Sequence, residues 1–269
     1  MTAHPKVTLV TCKSMPNLFK GEEGLLDELA ARGCDPQIKV WNDPDVDWSE
    51  AGMVVVRSVS DYASDRPAFL EWTKQLRRVQ NSADVLNWNT DKHYLKELAA
   101  LGMPTIPTNW LEPEQNLSKH QIHTRFPAFG EFVVKPAVSS GVRDIGRYTT
   151  VDTRQRQAAM RQVQGLLGEG RSVMIQRYVE EIDLHGEISL VFFNGLVSHA
   201  VEKRSALHPS SVSDPAVHEA VVTAEAADSV AWKWGEEIRR VLHGYVRSRL
   251  GHDEQFLFNR VDLVPDGKG

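Results

Sequence analysis

Cysteine is nearly absent: Cys12 and Cys34 are the only two in 269 residues. They do not form a C-x-x-C pair, so a disulfide scaffold and a cysteine-built zinc or redox site are excluded, and both read as reduced thiols. Long apolar runs are missing as well. The N-terminal run from Val7 to Cys12 is too short for a signal peptide or a membrane span. There is no basic excess: the net charge is −5, without a long run of lysine and arginine, which gives no footing for nucleic acid. The ten histidines contain no H-E-x-x-H. No G-x-S-x-G elbow, Walker loop or G-x-G-x-x-G occurs, which removes the commonest hydrolase and nucleotide-binding signatures. What remains, 41% hydrophobic and 25% charged residues, is the composition of an ordinary globular protein. The length predicts about two domains.

What is present is alternation. Lys6 to Cys12 reads as a strand, and Gly21 to Ala31 as a helix with Leu25, Leu26 and Leu29 on one face. Gln37 to Trp41 and Met53 to Val56 read as strands, the second apolar throughout, as buried parallel strands are. A helix over Ala68 to Val79 and a short strand over Asp84 to Trp88 follow. This order predicts a small doubly wound parallel sheet, with ligands beyond the carboxyl ends of its strands. Arg57 and Ser58 stand at such an end. A solvated strand-end arginine fits the same pattern.

Further on, Thr90 or Asp91 is placed to cap a helix reaching about Ala100, with Lys92 in its first turn. A cation there opposes the helix dipole unless an anion sits nearby, although a solvated lysine costs little. Phe132-Val133-Val134-Lys135-Pro136 reads as a buried strand ending in a lysine, and Pro136, without an N–H, is expected to stop the ladder. Ala137-Val138-Ser139-Ser140-Gly141 then supplies small residues whose amides can approach an anion. Together they have the form of a phosphate grip; an edge strand before an ordinary turn is the alternative for these residues alone. Arg147 to Thr150 reads as a return strand, and Asp152 caps a helix to about Gly168. Ser172 to Tyr178, carrying Gln176, is the next strand. Gly186 to Phe193 and Leu196 to Glu202 form a hairpin around Asn194-Gly195. A long helix carries Val230, Trp234, Ile238, Val241 and Tyr245, and Trp232 and Trp234 cannot both face its core. A last strand over Phe256 to Val264 carries Arg260 and Asp262.

In this order, Asn89-Thr90-Asp91-Lys92, Val133-Val134-Lys135-Pro136, the Ser/Gly loop, Gln176-Arg177-Tyr178-Val179, Gly186-Glu187, the hairpin ending at Lys203 and Arg260-Val261-Asp262 resemble the ATP-grasp superfamily of ligases. The pattern covers nearly everything from residue 87 on. The N-terminal third is similar to the small α/β domain that precedes the grasp in glutathione synthetase and D-alanine–D-alanine ligase. Val56-Arg57-Ser58 with Asp61-Tyr62, Trp88-Asn89 and His199-Ala200-Val201 look most like the actinobacterial branch that includes the D-cycloserine synthetases.

The resemblance implies an α/β (α+β) architecture in which two lobes clasp ATP. Residues 1–88 would form a Rossmann-like parallel domain, 89–180 the N-terminal grasp lobe with a phosphate-covering loop, and 181–269 the C-terminal lobe. It implies a carboxylate–amine or intramolecular cyclising ligase that uses ATP and Mg²⁺ and acts through an acyl phosphate. Lys92 and Lys135 would hold the α and β phosphates, and Ser139, Ser140 and Gly141 would lie in the lid. Gln176, with backbone groups of Arg177 and Val179, would face adenine, and Glu187 the ribose hydroxyls. Lys203 or Arg204 would meet the transferring phosphoryl group, and Asp262 would bind the metal. Arg57, Ser58, Asp61 and Tyr62 would line the substrate site, Arg57 because a guanidinium can make two parallel bonds to a carboxylate. Ser60 stands where this branch implies a tryptophan.

The family's further metal ligands, expected about one strand after Asp262, have no counterpart before Gly269, so a final metal-binding strand is expected to be missing. Two alternatives follow: a nucleotide-binding protein of this fold without ligase activity, and an ATP-grasp phosphotransferase. The expected partner is a small amino-acid-like molecule, with no nucleic acid and no membrane. A homodimer is compatible, and the expected location is cytoplasmic.

Overall fold

A computed structural model describes residues 4–203, 207, 229–251 and 253–265. The N-terminal sheet contains β1 (Lys6–Thr11), β2 (Asp35–Val40), β3 (Met53–Ser58) and β4 (Val79–Gln80), all parallel, in the order β2-β1-β3-β4. Both faces are covered, and for that reason β1 is buried at every position after Lys6. Val7 and Leu9 meet Leu25, Leu26 and Leu29 of α1 (Gly24–Ala31) on one side. Val10, Cys12 and Val54 meet Phe69 and Trp72 of α2 (Arg66–Lys74) on the other.

Two boundaries differ from the sequence reading. α2 ends at Lys74, which frees Val79–Gln80 to pair with Val54 and Val55. Residues expected as a strand at 84–88 form α3 (Ala83–Asn89). Ser82 caps it by accepting the Val85 N–H, and Val85 packs against Val246 and Phe256 from far along the chain. A cap and a distant partner outweigh the local β-propensity.

The second sheet is antiparallel, in the order β5-β8-β6-β7, built from β5 (Thr108–Leu111), β6 (Glu131–Pro136), β7 (Gly146–Thr149) and β8 (Val173–Arg177). Between β3 and this sheet, α4 runs over Tyr94–Ala100. α5 (Lys119–His123) and α6 (Thr153–Gly168), the latter capped by Asp152 as expected, bury Ile122, Ala159, Val163 and Leu166 against Phe132, Val134, Val173 and Ile175. Alternation then directs Val133, Lys135, Met174 and Gln176 to the opposite face. Pro136 does not stop the ladder: it pairs with Val173, and the next amide, of Ala137, still donates to Ser172 O at 2.9 Å. The missing N–H is tolerated because it points toward β7, whose pairing ends at Val134.

After α7 (Glu181–His185), the third sheet runs β10-β9-β11 with β9 (Glu187–Phe193), β10 (Leu196–Lys203) and β11 (Phe258–Leu263), all antiparallel. The Asn194-Gly195 turn has φ of 53° and 77°, both left-handed, as the hairpin demands. α8 (Ser229–Leu250) lies close over this sheet at Gly235, where a Cβ would come within 2.2 Å of Leu190 Cδ1. Trp232 packs edge-on to Phe192, while Trp234 is 42% exposed.

Candidate active site

Lys92 does not lie inside the first turn of a helix, because α4 begins at Tyr94. Asp91 accepts the His93 N–H at 3.0 Å, and the Lys92 N–H crosses to Ala137 O at 3.0 Å. The Lys92 ammonium donates to Ser139 Oγ at 2.7 Å and to Ser139 O at 3.0 Å. Burial, and then the charge of Lys135, push its pKa down to about 8. Lys135 reaches the same space from the open face of β6, and burial lowers its pKa against the opposing pull of Glu187. Neither ammonium makes an ion pair among the described residues. Two half-buried cations held together without a matching anion form a site for one.

Glu187, first residue of β9, stands across from Lys203, last residue of β10. Burial, followed by repulsion from Asp262, raises the Glu187 carboxyl above its ordinary range. Lys203 is lowered by burial and lies 3.5 Å from Asp262 Oδ1. Arg260 grips Asp262 with Nε at 2.7 Å and a terminal nitrogen at 2.9 Å, and Ser189 donates to it at 2.6 Å. Burial pushes Asp262 up, but the Arg260 hydrogen bond and charge outweigh it and hold the carboxyl below its usual value. Lys92, Lys135, Glu187, Lys203 and Asp262 thus form one electrostatic chain. Arg204 lies outside the described residues.

Gln176 is buried on the same face as Lys135 and donates its amide to Thr108 Oγ1 at 2.7 Å. Arg177 is exposed, its guanidinium 4.5 Å from the Phe129 ring centroid. The Val179 carbonyl accepts the Ile182 N–H at 3.1 Å at the entry to α7. Ser139 is buried, Ser140 half-buried and Gly141 exposed with φ 62°.

The N-terminal residues divide. Arg57 is bonded to Glu22, its face lies 5.2 Å from the Phe258 ring centroid, and its buried Nε has no partner. Ser58 Oγ donates to Glu22 at 2.6 Å and accepts the Phe19 N–H. Asp61 turns to the Trp41 indole N–H at 2.7 Å, an internal contact. Tyr62 donates its hydroxyl to Ser139 O at 3.2 Å and so reaches the loop. The sequence reading missed Glu22, Thr108, Ser189 and the grip of Arg260 on Asp262. Of these, only Arg260 carried a local signal, its place two residues before Asp262 on one strand face.

A catalytic magnesium is implied by the resemblance. Asp262 and Glu187 supply two carboxylates beside the lysines, and no cluster of three metal-ligating side chains occurs among the described residues. Mg²⁺ is commonly held by one or two carboxylates together with substrate phosphates, so this donor set fits it.

Residues 7–87 match the family model described as D-cycloserine synthetase DcsG, N-terminal domain. The cycloserine biosynthesis protein DcsG of Streptomyces lavendulae is 32% identical over 253 residues, covering 91% of this chain and 81% of the relative. The crystal structure of D-cycloserine synthetase DcsG superposes with a TM-score of 0.81 at 30% identity, covering 98% of this chain and 88% of that one. A D-alanine–D-alanine ligase from Bacillus anthracis, solved with ATP, shares the fold with a TM-score of 0.57 at 15% identity, over 98% of this chain and 83% of that one. The two antiparallel sheets form an ATP-grasp fold behind the parallel N-terminal sheet, and the chain belongs to the DcsG family of ATP-grasp ligases.

Proposed function

We propose that this ATP-dependent ligase activates the carboxylate of a small amino-acid-like substrate as an acyl phosphate, which an amine, from a second molecule or the same one, then attacks. The observation that carries this reading is the Lys92–Lys135 pair, two ammonium groups facing one space with the Ser139 loop against them. Catalysis of phosphoryl transfer consists mainly of positioning and charge stabilisation. Lys92 and Lys135 would bind the nucleotide's phosphates, and Lys203 would stabilise the charge on the group in flight. Residues 137–144 would exclude water, which otherwise hydrolyses the intermediate.

Gln176, with its donor fixed by Thr108, offers a carbonyl acceptor to the exocyclic amine of adenine. Asp262 and Glu187 would hold Mg²⁺, whose chemistry is to neutralise phosphate charge. Arg260 keeps Asp262 ionised and oriented for that role. Glu187 fits this place better than a contact to the ribose, since its carboxyl belongs to the same charged cluster as Asp262. Arg57 would receive the substrate carboxylate through the guanidinium edge that Glu22 leaves free.

The test is ADP release over a panel of D- and L-amino acids and small dipeptides, for the wild type and Lys135→Ala. Substrate-dependent ADP that falls about a hundredfold or more in the variant supports the reading. Unchanged turnover in Lys135→Ala would remove the site. ATP binding without ADP release across the panel would favour a nucleotide-binding protein without ligase activity.

A further inference from the structure

We propose that Tyr62 is a positioning residue of the phosphate grip, acting through Ser139 on Lys92. The inference rests on the reading of Lys92 as a phosphate ligand. Tyr62 belongs to the turn that follows β3 at the carboxyl end of the parallel sheet, and its ring is fixed against Phe69 at 5.6 Å. Its hydroxyl donates to Ser139 O at 3.2 Å, and the same carbonyl accepts from the Lys92 ammonium at 3.0 Å. One oxygen therefore joins a residue of the N-terminal domain to the nucleotide-facing lysine. The Ser139 hydroxyl accepts from Lys92 as well, so displacement of Ser139 removes two of the lysine's acceptors together.

The surroundings make this link matter. Behind the loop lies a cleft of about 630 Å³, lined by Ser60, Ser64, Arg66, Ser140, Arg143 and Ser172 among others. Serine, arginine and acidic side chains share that lining with Ala63, Pro67 and Val138, so the cleft leaves residues 138–144 open on that side. Two hydrogen bonds cross from the turn to the loop: Tyr62 to Ser139, and Arg143 to Ser64 Oγ at 2.8 Å. The first alone touches the acceptors of Lys92. With it in place the ammonium is aimed and desolvated before nucleotide arrives, and preorganisation of this kind lowers the cost of binding. The charged groups facing Lys92 are Lys135 from β6 and Asp91 from its own segment, while Tyr62 and Ser139 contribute neutral dipoles.

Tyr62→Phe deletes one oxygen and leaves the ring packing in place. The expected result is a three- to tenfold rise in the KM for ATP and in the Kd for a non-hydrolysable ATP analogue, about the worth of one hydrogen bond, with the KM for the amino-acid-like substrate unchanged. A second readout needs no turnover. Acetylation of Lys92 across pH, followed by mass spectrometry, should show its midpoint moving up from about 8 in the variant as water reaches it. A rise confined to the KM of the amino-acid-like substrate would make Tyr62 a wall of that site and overturn the proposal. An unmoved Lys92 midpoint would overturn it too. Lys92→Met separates the underlying reading: if that variant binds the analogue as the wild type does, Lys92 is no phosphate ligand, and the proposal falls with it whatever Tyr62→Phe shows.

Discussion

Nucleotide affinity should depend on pH through Lys92. An ordinary lysine remains charged to above pH 10, but burial and Lys135 bring this one to about 8. Charging it inside the folded protein therefore costs about 3 kcal/mol relative to water. In the unfolded chain the lysine keeps the higher value, so between about pH 8 and 10.5 the folded state binds fewer protons. Stability without ligand should therefore rise with pH through that window. Bound triphosphate reverses the sign, because its charge favours the ammonium. Nucleotide binding then takes up close to a full proton at pH 9 and almost none at pH 6.5, and the Kd weakens about tenfold for each pH unit above 8. Titration calorimetry with a non-hydrolysable ATP analogue, in two buffers of different ionisation enthalpy, measures both quantities. Lys92→Met should reduce the slope to the share carried by Lys135. A wild-type Kd that stays flat from pH 7 to 9.5, with no proton uptake, would refute the reasoning.

Glu22→Gln should lower thermal stability and raise the KM of the amino-acid-like substrate, since it removes the charged partner of Arg57 and Ser58, bonds worth about 1.5–3 kcal/mol. The Kd of the ATP analogue should stay within about twofold, and a larger change would join two sites that are separate in this scheme. Gly235→Ala should destabilise by about 1–3 kcal/mol, because the added methyl meets Leu190, a fully buried side chain with nowhere to move. Denaturant unfolding reads this directly, and a neutral result would show that α8 can lift from the sheet.

Much of the lysine and carboxylate cluster was legible in the chain because its signals are local. Val133-Val134-Lys135 announces a buried strand with a cation at its tip, and Asn194-Gly195 announces the hairpin that brings Lys203 opposite Glu187. What was not legible depends on distance in sequence. Glu22 meets Arg57 across 35 residues, and Ser189 meets Asp262 across 73. Asp61 looked available for substrate, yet the Trp41 indole, 20 residues away, takes its carboxylate. α3 was misread because its apolar residues suit a strand as well as a helix, and the deciding contacts come from α8 and Phe256. The resemblance placed Tyr62 in the substrate site, while its bond to Ser139 exists only once residues 77 apart in the sequence come together.

The most direct test of the proposed chemistry follows one oxygen atom. The carboxylate of an accepted substrate is labelled with oxygen-18, and the inorganic phosphate released with ADP is read by phosphorus NMR. An acyl phosphate leaves one labelled oxygen in the phosphate, because the bond broken by the amine lies between the acyl carbon and that oxygen. Transfer of label in step with product formation is the predicted result. Unlabelled phosphate, or a stable phosphorylated product in its place, would contradict it.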